Sequence, residues 1–131
     1  MNTKLKMGKR RGVSAIEFAI VAPIVLLIVF GLFEVSRVMT INDSVRTSVI
    51  AGVREAGVAN TTADNVKAEI EFILNAFRVR SSEVVVTPTV IDAGVTEISI
   101  DVTVPLNTDN GVYFQKVIGP GKVAFSTVLE R

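Results

Sequence analysis

The sequence predicts an α+β chain: a long N-terminal transmembrane helix that continues as an amphipathic helix, a second short helix, and a small antiparallel sheet of about three strands. Three observations predict it. Val13–Phe33 is an apolar run of 21 residues with a single charge, Glu17, long enough to cross a hydrocarbon core of about 30 Å as a helix. Between Val35 and Val53 apolar residues return at spacings of three and four, which lines one face of a helix. From Glu83 onward the period changes to two, the period of strands.

Each element follows in order. Before the apolar run stand Lys4, Lys6, Lys9, Arg10 and Arg11 with no acid among them. Short flanks rich in Lys and Arg stay cytoplasmic, so the N-terminus is expected inside and the remainder outside. After Phe33, the residues Val35, Val38, Ile41, Val45, Val49 and Val53 alternate with charged Glu34, Arg37, Asp43, Arg46, Arg54 and Glu55, with no proline between them. The helix is therefore expected to continue to about Ala56, where Gly57 supplies a stop. From Val13 to Ala56 it would be roughly 65 Å long at 1.5 Å per residue.

Thr61 and Thr62 offer a hydroxyl N-cap for a second helix, whose apolar stripe is Val66, Ile70, Ile73, Leu74 and Phe77, ending near Arg78. Val84–Ile91 is β-branched but interrupted by Pro88, which suits an edge strand or a bulge. Asp92-Ala93-Gly94 reads as a turn. Ile98, Ile100, Val102 and Val104 then alternate with Glu97, Ser99, Asp101 and Thr103, the pattern of a half-buried strand. Asn107–Gly111 is a loop of turn formers, Val112–Ile118 fits either a short helix or a connector, and Gly119-Pro120-Gly121 precedes a last strand, Lys122–Leu129. The domain boundaries that result are a basic leader at 1–12, a span at 13–33 and an extracytoplasmic α+β region at 34–131.

Composition removes several classes of function. The 131 residues contain no Cys and no His, so disulfides, thiolate chemistry, the commonest general base and the commonest metal ligand are all missing. No convergent catalytic set is visible, and an enzyme is not expected: Ser126 and Thr127 have no histidine to activate them. Neither a cofactor nor a metal is expected. Asp92, Asp101, Asp109 and Asn110 lack the alternate-residue oxygen spacing and closing glutamate of a calcium loop. The formal charge of +1 hides a strong asymmetry, since the chain after Gly12 holds nine basic against 13 acidic residues. With no basic patch left to neutralise phosphates along a duplex, nucleic acid is not an expected partner. Nor is a small-molecule substrate. Tyr113 and Phe114, the only adjacent aromatics, are expected to pack the sheet against the helix.

Glu17 is the residue that asks for an explanation. A carboxylate inside a spanning helix costs of order 2–3 kcal/mol by insertion scales. One way to lower that cost is to lift the carboxylate toward the headgroups, since Glu17 is near the edge of the run. The other is a partner of opposite charge. Gly12 stands five residues before the acid, the basic cluster immediately before Gly12, and the apolar run continues after Phe18. Gly8 does not fit this spacing, because Val13 stands five residues beyond it.

Gly12-Val13-Ser14-Ala15-Ile16-Glu17-Phe18 resembles the cleavage region of type IV prepilins. The longer run from Arg11 through Pro23 resembles more specifically the TadE-like family of tight-adherence (Flp, type IVc) pilus systems, with the match strongest over about residues 10–40. This resemblance implies a pilin-like fold and a minor pilin or pseudopilin in pilus assembly, cell adhesion and secretion. It implies cleavage by a prepilin peptidase between Gly12 and Val13, and pairing of Glu17 with the N-terminal amine of a neighbouring subunit. Type IV pilins usually carry phenylalanine after the cut, where this chain has Val13. The implied partners are the peptidase, other pilin-like subunits, the assembly machinery and membrane lipid, and the implied location is the bacterial inner membrane or, after processing, a pilus. Ala15, Ala19 and Ala22 would let helices approach closely in lipid, with Phe18 beside them, and Pro23 removes the hydrogen bond to Ala19 and is expected to kink the helix. The rival readings are an uncleaved single-pass assembly or adaptor protein and, last, a secreted module with an ordinary signal peptide.

Overall fold

The computed structural model describes residues 8–58, 60–91, 94–115, 119 and 121–130, with side chains from Gly12. Most of the basic leader, the Asp92-Ala93 turn, residues 116–118 of the predicted connector and Pro120 lie outside the described residues. Helix α1 spans Gly8–Ala56. Its end matches the stop expected at Gly57, while its start lies earlier than Val13. Lys and Arg are good helix formers, so nothing in 8–12 except glycine opposes propagation into the leader. The helix is unbroken through Pro23.

Two compact units divide between Phe33 and Glu34, inside α1. In the first, the helix stands alone, and its large apolar side chains are exposed on every side. The second holds the core. There Ile41, Val45, Val49 and Ala56 of α1 are fully buried, at the three- and four-residue spacings read from the sequence. Val35, expected on the same face, is instead 53% exposed. Ser44 and Ser48 are buried on that face too, and their hydroxyls donate to the carbonyls of Ile41 and Val45, both at 2.8 Å. Each is thereby satisfied within the helix, as buried polar groups require. Gly52 completes the row of small residues: a Cβ there would stand 2.6 Å from Ile70 Cδ1, so only glycine lets the second helix approach this closely.

That second helix, α2, spans Ala63–Ala76. Thr62 caps it by accepting the Asn65 N–H at 3.3 Å, as predicted. Val66, Ile70 and Leu74 are buried, whereas Phe77 has left the helix and is 43% exposed. The C-terminus closes in a Schellman turn. Arg78 takes the left-handed conformation (φ 57°), its N–H reaching Asn75 O at 2.9 Å, and Val79 N–H reaches Leu74 O at 2.9 Å. Val79 is buried, which supplies the apolar contact with Leu74 typical of this turn.

The sheet is antiparallel with order β1-β2-β3: β1 Glu83–Thr87, β2 Glu97–Leu106 and β3 Gly121–Glu130. β1 stops at Pro88, which cannot donate to a ladder. In the central strand Ile98, Ile100, Val102 and Val104 are fully buried. Val84 and Val86 oppose Val102 and Ile100 on one side, and Phe125 and Thr127 oppose the same pair on the other. α2 packs against β1. β3 is covered less, so its inward row of Val123, Phe125, Thr127 and Leu129 is only half-buried. Between β2 and β3 the residues Thr108–Asn110 form a 3-10 turn, capped by Asn107 and closed by Gly111 at φ 73°.

Candidate functional site

The predicted site residues all lie on the free-standing stretch of α1. Gly12, Val13, Ala15, Glu17, Phe18, Ala19 and Pro23 are exposed and Ala22 is half-buried. Val13 is 58% and Phe18 is 73% exposed. A Cβ at Gly12 would meet nothing within 4 Å, and its φ is not left-handed. Glycine in a helix costs about 1 kcal/mol relative to alanine, and neither this chain's packing nor its backbone asks for it. Among the described residues no cation lies within ion-pair distance of Glu17; the one ion pair described is Lys67–Glu71 at 4.0 Å. Val13 and Glu17 stand four apart, on one helix face, and Ala15, Ala19 and Ala22 share another.

The segment is also long and apolar enough to cross a membrane, with a mean hydropathy of 2.7 over its most apolar window and none of that window buried. A core helix of a water-soluble protein would be covered by its own chain. A helix that is apolar all round and uncovered needs lipid or other helices as its solvent.

Residues 12–57 match the family model described as TadE-like protein. The N-terminal helix is similar to the TadE-like family. The matched segment is nearly the whole of α1, from the glycine at the predicted cut to the glycine that ends the helix, and the TadE-like family is associated with tight-adherence pili. No curated protein and no solved structure matches the chain. The family match therefore concerns the TadE-like helix, while α2 and the sheet stand on their own geometry.

A second cluster, which the sequence reading assigned to turn chemistry, centres on Asn110. This side chain is fully buried. Its Oδ1 accepts the Arg80 N–H at 2.6 Å, and its Nδ2 donates to Arg80 O at 2.9 Å and to Pro105 O at 2.8 Å. Its own N–H reaches Asn107 Oδ1 at 3.1 Å, and its carbonyl accepts from Arg37 Nε at 2.7 Å. Arg37 Nη2 also donates to Arg78 O at 3.2 Å. One asparagine thus ties α1, the exit of α2, the end of β2 and the 3-10 turn together. Arg37, Arg78, Arg80, Thr108, Asp109, Asn110, Gly111 and Tyr113 line a pocket of about 420 Å³ there.

Beside it, Glu34, Val35, Val38, Met39, Leu106, Val112, Phe114 and neighbouring residues line an apolar groove of about 360 Å³. Tyr113 N–H donates to Glu34 Oε1 at 2.8 Å, and Glu34 Oε2 is buried with no hydrogen-bond partner among the described residues. The aromatic pair does not fill the helix–sheet interface as expected. Val112 takes the buried place, at 6% exposed, which turns Tyr113 outward to 66%, and Phe114 is 38% exposed on the groove. Among the described residues no group of three or more acidic side chains could hold a metal ion.

Proposed function

We propose that the chain is a minor pilin or pseudopilin of a tight-adherence (Flp, type IVc) pilus assembly and secretion system. The observation that carries this reading is the TadE-like match over residues 12–57, on a helix whose most apolar window is not buried among the described residues. In this reading residues 1–12 are a leader kept in the cytoplasm by its basic charge, 13–33 cross the inner membrane, and 34–131 are extracytoplasmic. Prepilin peptidase cuts between Gly12 and Val13. Gly12 itself supports this, because it has no side chain to obstruct a protease and nothing among the described residues requires glycine there.

Cleavage frees an ammonium at Val13. Glu17 pairs with the corresponding ammonium of a neighbouring subunit, which offsets the cost of a carboxylate in lipid. A buried ion pair adds little net stability but fixes register, because breaking it leaves an uncompensated charge. Ala15, Ala19 and Ala22 bring the neighbouring helix close, with Phe18 and Pro23 shaping the same surface. The size of the extracytoplasmic unit favours a minor subunit over the bulk of the fibre.

The rival reading, an uncleaved adaptor of the secretion complex, is favoured by one observation: α1 passes through the Gly12–Val13 bond without a break, and a protease must unwind it there. Glu17→Gln separates the two. A minor pilin carrying it is still trimmed to Val13 but is lost from the assembled pilus complex in pull-downs. Undiminished incorporation of trimmed Glu17→Gln would overturn the pairing.

A further inference from the structure

We propose that Arg37, Arg78 and Arg80 form a binding site for a phosphate group, presented by the headgroup of an anionic phospholipid at the outer membrane surface; the lipid source rests on the reading of α1 as a membrane span. Three arginines line one pocket with a single acid, Asp109. None of the three is paired with a carboxylate among the described residues. Like charges gathered without a counter-ion repel one another, and an anion of matching geometry relieves that repulsion.

The arginines are held in place from behind. Arg37 spends two of its five N–H donors on backbone carbonyls and keeps three for a ligand. The Arg78 backbone is fixed by the Schellman turn, and the Arg80 backbone is gripped on both its N–H and its carbonyl by Asn110. Gly111 is needed here as well: at φ 73° it closes the 3-10 turn beside Arg37 Nε. The Arg78 and Arg80 side chains are exposed and make no hydrogen bond to the described residues, so they are free to close on a ligand. Thr108 offers a hydroxyl at the rim, and Glu34 lines the neighbouring groove rather than this pocket.

A headgroup is favoured over free phosphate by position in the chain. Arg37 stands four residues beyond Phe33, the last residue of the apolar run, so in any conformation the chain holds it within about 14 Å of the end of that run. The headgroup layer on each side of a bilayer is about 5–7 Å thick. Tyr113, at 66% exposed on the pocket wall, is the kind of side chain that settles at this level.

The test uses the full chain in neutral detergent, titrated separately with short-chain phosphatidylglycerol, phosphatidylcholine and inorganic phosphate, with bound ligand counted by native mass spectrometry. The comparison variant is Arg78→Gln with Arg80→Gln, which touches no hydrogen bond of the fold; an unchanged melting profile verifies that. Phosphatidylglycerol is expected to bind more tightly than the other two and to weaken by about tenfold or more in the variant, the scale of losing charge-assisted hydrogen bonds. Equal phosphatidylglycerol binding by the variant would overturn the site. Inorganic phosphate binding as tightly as the lipid would overturn the lipid as its source. The titration needs neither cleavage after Gly12 nor pilus assembly, so its failure is distinct from failure of the pilin reading.

Discussion

One helix, α1, contains two stretches of opposite fate. From Val13 to Phe33 valine, isoleucine, leucine and phenylalanine are exposed in every direction; from Ile41 to Ala56 the same residue types on one face are buried to 0–1%. The difference lies in composition and pattern together: Val13–Phe33 carries one charge in 21 residues, whereas Ile41–Ala56 carries four in 16. The first stretch has no polar face, so no arrangement of a small sheet could cover it. The second interleaves Asn42, Asp43, Arg46, Thr47 and Arg54, all exposed, and leaves a stripe only as wide as α2 and three strands can cover. A helix that changes solvent along its length is built by changing the angular spread of its apolar residues.

Matched substitutions in the two stretches sharpen the contrast. Ile41→Ala removes a fully buried side chain and should lower the stability of the folded region by about 3 kcal/mol, measured by denaturant unfolding of the full chain in detergent. Ile28→Ala, at a position 59% exposed, should leave the same transition unmoved. An equal loss at both positions would break the comparison. Leu27→Arg is expected to act in the opposite sense, costing about 3 kcal/mol of membrane insertion, read as the fraction of chain recovered in the membrane, without changing the folding of residues 34–131. Gly52→Val forces atoms onto Ile70 and should destabilise by about 2 kcal/mol, seen as a lower melting temperature. Thr62→Ala removes the cap of α2, a loss of about 1 kcal/mol that hydrogen exchange should localise to the first turn of that helix.

Much of this was legible in the sequence because it is local. The periods of α1, α2 and β2, the Thr62 cap and the break at Pro88 each depend on residues within a few positions of one another. The inward face of β2 follows from the same alternation. What was not legible depends on distant segments meeting. Asn110 lies 73 residues from Arg37 and 30 from Arg80, and inside Asn107–Gly111 it looks like one more turn former. Tyr113 and Phe114 were misplaced for a related reason. Gly111 sets the phase of the residues that follow, and Val112 rather than an aromatic meets the core. The early start of α1 shows that a charged leader does not stop a helix when its residues are good helix formers.

The candidate site divides the same way. Gly12, Glu17 and the apolar run are a linear motif, readable without a fold and matched by the TadE-like family over 12–57. The arginine pocket is a tertiary object, and no spacing in the sequence announces it. Each half of the molecule therefore carries a different kind of site. In the proposed reading the uncovered half presents a motif to be cut and paired, and the covered half presents a surface assembled by folding.

The central claim is that the uncovered half is trimmed at Gly12 so that it can assemble. Its most direct test is the N-terminal residue of the protein, determined by mass spectrometry from cells with and without a prepilin peptidase. A start at Val13 that appears only when the peptidase is present is the predicted result. An intact Met1, or an identical N-terminus in both cells, would contradict it.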